Sequence, residues 1–103
     1  MEAEEYKKFH EEVYNILPKD IKIKAINFLK EYLSDSDIQN IKNECQKNSV
    51  FWMSPYHFSW GMRIRNLLRV NVASDEELSK NEEFANWDNF YVKLLEVSAG
   101  IGE

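Results

Sequence analysis

The chain has 103 residues, a mass of 12.3 kDa and a formal charge of −5, which leaves room for one hydrophobic core under an acidic surface. Hydrophobic residues make up 44% and aromatics 14%, with three glycines and two prolines, a balance that excludes a disordered or loop-rich chain. The acidic excess argues against duplex DNA and anionic membranes as partners, because both are bound mainly through lysine and arginine.

In chain order, Tyr6, Phe9, Val13 and Ile16/Leu17 recur at intervals of three and four, which predicts a helix from Ala3 to Leu17 with one buried face. Pro18 ends it, because the residue before proline is pushed out of helical geometry, and a second helix begins near Pro18 or Lys19. Its inner face is Ile21, Ala25, Phe28, Leu29 and Tyr32. Ser36 followed by Gln39 reads as a capping box opening a third helix with Ile38, Ile41 and Cys45 inward, fading at Lys47 to Ser49. Ser54-Pro55 reads as an N-cap and first helical position, predicting a fourth helix to about Val70. Ser74 with Glu77 suggests a short capped turn or helix. Asn86 caps a last helix from Trp87 to Ser98, closed by Gly100, with Trp87, Phe90, Tyr91, Leu94 and Val97 or Ser98 inward. The expectation is a single all-α domain over residues 1–103, a compact bundle of four or five short helices.

Lys47, Arg63, Arg65 and Arg69 give residues 45–74 a formal charge of +4, since that window holds no Asp or Glu. The arginines follow the aromatic run Phe51, Trp52, Tyr56, Phe58 and Trp60. Such segregation favours a local anion site over a generally basic surface. On a continuous helix from Ser54, Trp60, Ile64, Leu67 and Leu68 form the apolar face, and His57, Gly61 and Arg65 form a stripe along its edge. His57 then lies near unpaired backbone N–H groups, which attract anions. Arg65 and Arg69, one turn apart, suit a forked clamp on phosphate or carboxylate, while Trp52, Tyr56 or Phe58 suits stacking on a base. Gly61 costs roughly 1 kcal/mol relative to alanine in a helix interior, so a close neighbour or a ligand must justify it. Each of these residues also fits a plainly structural role: Gly61 in helix packing, His57 as a hydrogen-bonded core histidine, the arginines as partners of acidic helices, and the aromatics as core.

The segment His57-Phe58-Ser59-Trp60-Gly61-Met62-Arg63-Ile64-Arg65-Asn66 resembles the His-Phe-Gly-x-Gly-x-x-Ile-Arg-Asn signature of a family of small uncharacterised proteins encoded by bacteria and their phages, a domain of unknown function. Trp87-Asp88 and Leu94-Leu95 resemble that family's acidic segment and final helix, so about the second half of the chain is covered. Ser59 departs from the first glycine of the pattern. The resemblance singles out His57, Gly61, Arg65 and Asn66, with Asp88 as a carboxylate partner for Arg65 or His57.

Two histidines and one cysteine give no recognised zinc spacing, so no metal and no cofactor is expected. The single cysteine, Cys45, leaves no internal disulfide, MEAEEYKK does not read as a secretory signal, and no apolar stretch reaches the ~20 residues of a membrane span; the expected location is cytoplasmic. Three functions compete. The first is non-enzymatic binding of a small anionic ligand, a nucleotide or nucleotide-derived signal, by His57, Gly61, Arg65, Asn66, Arg69, Phe58, Trp52 and Asp88; the phage resemblance extends this to counter-defence by sequestration. The second is an acidic protein-interaction module that engages a basic host protein or a second copy of the chain, with the motif holding the bundle together. The third is a small hydrolase or transferase using His57 and Arg65, for which no nucleophile stands at a diagnostic spacing. A homo-oligomer that completes a pocket across a two-fold axis is compatible with the chain's size.

Overall fold

The computed structural model describes residues 3–48, 52–80 and 86–101. These form α1 (Ala3–Ile16), α2 (Lys19–Tyr32), α3 (Asp35–Asn48), a 3₁₀ turn (Ser54–Tyr56), α4 (Trp60–Asn71), α5 (Asp75–Leu78) and α6 (Trp87–Ser98). The all-α expectation holds, with six α-helices among the described residues because the capped turn at Ser74 closes into the single-turn α5. There Ser74 Oγ accepts from the Glu77 N–H, as an N-cap should.

The last helix is the axis of the molecule. α6 packs on α1, α2, α3 and α4, and Trp87, Phe90, Tyr91, Val92, Leu94, Leu95 and Ser98 are all buried. A helix covered on so much of its circumference needs apolar residues nearly all round, which is why Val92 and Leu95 join the predicted stripe while Val97 is only half-buried. Asn86 caps it, accepting from the Asn89 N–H. Gly100 closes it at φ +84°, a left-handed conformation that glycine adopts without strain. Val13 and Tyr14 from α1, Leu17 just after it, Ala25 and Leu29 from α2, Ile41 from α3, and Ile64 and Leu68 from α4 fill the space around it.

Two predicted helix starts are corrected. The cap of α3 is Ser34, not Ser36: Ser34 Oγ accepts from the Asp37 N–H and the Asp37 carboxylate accepts from the Ser34 N–H. Aspartate completes the reciprocal box that glutamine was expected to complete, and Gln39 instead donates to Asn43 on the helix surface. The expected helix from Ser54 to Val70 is broken. Ser54-Pro55 starts only the 3₁₀ turn, residues 57–59 form a turn, and α4 begins after Ser59. Ser59 at φ −117° and ψ −95° leaves helical geometry, and its hydroxyl donates to Tyr56 O instead of capping α4. At that φ a glycine is not required, so the departure from the resembled pattern is accommodated locally. Phe51 and Ser49 lie outside the described residues.

Candidate functional site

The break before α4 determines where the motif side chains go. Because α4 starts at Trp60, its buried face is Gly61, Ile64, Arg65 and Leu68, rotated from the predicted Trp60, Ile64, Leu67 and Leu68; Trp60 and Leu67 are half-buried. The turn carries His57 back over α4, so His57 and Arg65 meet although they do not share a continuous helix. Arg65 is only 4% exposed. Its Nη2 donates to the His57 carbonyl at 2.8 Å, its Nη1 lies 2.8 Å from His57 Nε2, and its Nε lies 3.3 Å from Asp88 Oδ1. The guanidinium also sits 5.0 Å from the centre of the Tyr91 ring, where the negative face of an aromatic attracts a cation.

Arginine has no acceptor, so the imidazole nitrogen it meets must offer a lone pair. Nη1 lies near both ring nitrogens, 2.8 Å from Nε2 and 3.1 Å from Nδ1, and Nδ1 shares a 2.6 Å hydrogen bond with Tyr91 Oη whose direction follows the tautomer. Burial lowers the His57 pKa, the Arg65 charge lowers it further, and Asp88 acts in the opposite sense; the ring is neutral at pH 7. Burial pushes the Tyr91 phenol up to about 12 despite Arg65, so it too is neutral. Both imidazole nitrogens are therefore engaged inside the protein, which leaves neither poised as a general base for a bound substrate.

Arg69 is bonded at all three of its nitrogens, whereas Arg65 Nε is buried with only its ion-pair contact to Asp88. Its Nε donates to Asp75 Oδ2 at 2.6 Å, its Nη1 to Asn66 Oδ1 at 2.8 Å and its Nη2 to Asp88 Oδ1 at 3.3 Å. Two guanidiniums thus face two carboxylates, a formal sum of zero. The Asp88 carboxylate expected for Arg65 serves both arginines. Asp75, in the first turn of α5, is the second partner and also accepts from the Trp87 backbone N–H. This set ties α4, α5 and α6 together.

The structure thus brings His57, Gly61, Arg65, Asn66, Arg69 and Asp88 together, and adds Asp75 and Tyr91. Gly61 was the signal that some neighbour comes close, and the neighbour is Tyr91: a Cβ at 61 would lie 3.0 Å from Tyr91 Oη and 3.1 Å from Tyr56 O, so the glycine makes room for the phenol. The three expected stacking residues part company, Tyr56 lying between the other two at 37% exposed. Trp52 is 1% exposed with its indole N–H on Glu96 Oε2, whereas Phe58 is 82% exposed and meets His57 edge-on. Next to His57, a hollow of about 230 Å³ is bordered by Tyr6, Phe58 and Tyr91, smaller than the ~300 Å³ at which small-molecule pockets begin.

A separate cleft of about 450 Å³ lies between α3 and the aromatic run, lined by Asp37, Ile41 and Glu44 on one side and Trp52, Tyr56 and Trp60 on the other. Sequence reasoning missed it, although Asp37, Ile41 and Glu44 recur at the spacing of one helix face. Among the described residues no group of three or more His, Cys, Asp or Glu converges as a metal site requires, and no helix is long and apolar enough to cross a membrane. Comparison with models of known families, with curated proteins and with solved structures finds no match.

Proposed function

We propose that the protein is an acidic protein-interaction module that engages a basic partner, with the His57–Arg65–Asp88 motif serving as an internal clasp. The observation that carries this reading is the closure of the arginine site. Arg65 is buried and both arginines already have carboxylates of this chain as counter-ions, so an incoming anion must displace Asp88 or Asp75. The outside, by contrast, carries an excess of carboxylates: α1 exposes Glu4, Glu5, Glu11 and Glu12 around Lys7 and Lys8. Such a face speeds encounter with a cationic surface and repels an anionic one.

The small-anion reading keeps one supporting observation, the hollow beside His57 with exposed Phe58 at its edge. One experiment separates the two. Binding of a lysine-rich peptide and of a panel of nucleotides is followed by calorimetry and by thermal shift, with wild type, Arg65→Ala and a variant carrying lysine at positions 4, 5, 11 and 12. The interaction reading expects peptide binding that weakens with salt, is lost in the α1 variant, and has no nucleotide counterpart. A selective rise in melting temperature with one nucleotide, absent in a folded Arg65→Ala, would establish the small-anion reading in its place.

A further inference from the structure

We propose that the cleft between α3 and the aromatic run receives a lysine or arginine side chain presented by the basic partner. The assignment rests on the interaction reading above and names the place where that partner is gripped.

Its floor is apolar, formed by Ile41 and Trp52, both buried. Tyr56, 37% exposed, and half-buried Trp60 line it from the side opposite α3. The carboxylates of Asp37 and Glu44, two helical turns apart on the same face of α3, stand at its edge. Aromatic faces carry negative charge density and attract ammonium and guanidinium groups. An anion would meet repulsion from both rings and carboxylates. A neutral apolar guest would displace water from an acidic cleft without adding charge of the opposite sign, which is costly. A cationic side chain satisfies all three elements: its methylene stem lies along Ile41 and the rings, and its charged head meets the carboxylates.

The dimensions and surroundings favour a side chain on a peptide over a free cation. At about 450 Å³ the cleft has room for a long side chain together with the backbone flanking it. Tyr56 precedes the turn that carries His57, and the Arg65 clasp fixes that turn through the His57 carbonyl. The internal network therefore has an external consequence, because it holds one aromatic wall in place relative to α3.

The test is calorimetric titration of wild type, Tyr56→Ala and Glu44→Gln with a lysine-rich peptide, the same peptide with norleucine for lysine, and tetramethylammonium, after circular dichroism has established that both variants fold. The expected result is peptide binding weakened about fivefold or more in each variant, in keeping with the loss of one cation–π or charge contact, and abolished by norleucine. Wild-type affinity in both variants, with binding still lost on α1 charge reversal, would overturn the cleft while leaving the interaction reading intact. Binding of tetramethylammonium but not the peptide, with the same sensitivity to the variants, would leave a small-cation site and overturn the peptide occupant. Binding of neither would overturn the cleft and the interaction reading together.

Discussion

An alanine at position 61 would place its Cβ 3.0 Å from Tyr91 Oη, 3.1 Å from Tyr56 O and 3.2 Å from Tyr91 Cε2. None of these atoms can yield cheaply. Tyr56 O belongs to the backbone, and the Tyr91 ring is buried, bonded to His57 and covered by Arg65. Overpacking of this kind costs about 1–3 kcal/mol, against about 1 kcal/mol that alanine returns through helix propensity. Gly61→Ala is therefore expected to destabilise the fold by about 1 kcal/mol, the middle of a range of about 0–2 kcal/mol, read as a lower midpoint in urea denaturation. An unchanged or higher midpoint would mean that Tyr91 is not pinned. The sequence made this residue legible as an exception, since a mid-helix glycine demands a neighbour. It did not name the neighbour, because the register between α4 and α6 is fixed by packing across thirty residues and not by local spacing.

Among the elements, the strongest local signals placed helices well and their first residues less well. Pro18, Ser74, Asn86 and Gly100 mark boundaries that the chain uses, because each acts on the backbone beside it. The starts of α3 and α4 were misplaced where two local options compete. Ser34 and Ser36 both precede the apolar periodicity, and only the reciprocal bonds with Asp37 identify the first. Ser34→Ala is expected to cost about 1 kcal/mol while Ser36→Ala is nearly neutral, a contrast that paired thermal melts would measure; equal effects would dissolve the box. The break at residues 57–59 was illegible because Ser54-Pro55 is a valid helix start. It opens a 3₁₀ turn instead, and Arg65, reaching back to the His57 carbonyl, is what rewards the chain for leaving the helix there. The pairing of Arg65 with Asp88 was anticipated from the resemblance; the sharing of Asp88 with Arg69 depends on α6 lying beside α4.

For the molecule as a whole, the dependence of stability on pH should carry the mark of Glu96. This side chain on α6 is half-buried and accepts from the Trp52 indole. Burial raises its pKa, against the lowering effects of the Trp52 bond, Lys93 and Lys7. A carboxyl whose folded pKa lies above its unfolded value of about 4.3 is taken up more readily as the neutral acid by the folded state. Its favourable contribution is complete below the unfolded value and is lost as pH rises through the folded one. Glu96→Gln keeps an acceptor for the indole and removes the charge, so its denaturation midpoint is expected above that of wild type at pH 7, with the gap closing toward pH 4. A gap that widened on acidification would reverse the assignment.

The same interior arrangement sorts the protein's three indoles into optical classes. Trp87 is fully enclosed with its N–H on Ala73 O, and Trp52 is enclosed with its N–H on a carboxyl group, whereas Trp60 stands half-buried in the wall of the α3 cleft. Emission from both enclosed indoles changes when the core opens, although Trp52 also underlies the cleft. Emission from Trp60 belongs to the cleft. A red-edge component that responds to quencher while the blue component does not would come from that single residue, and the native protein would then report occupancy of its own surface without a label.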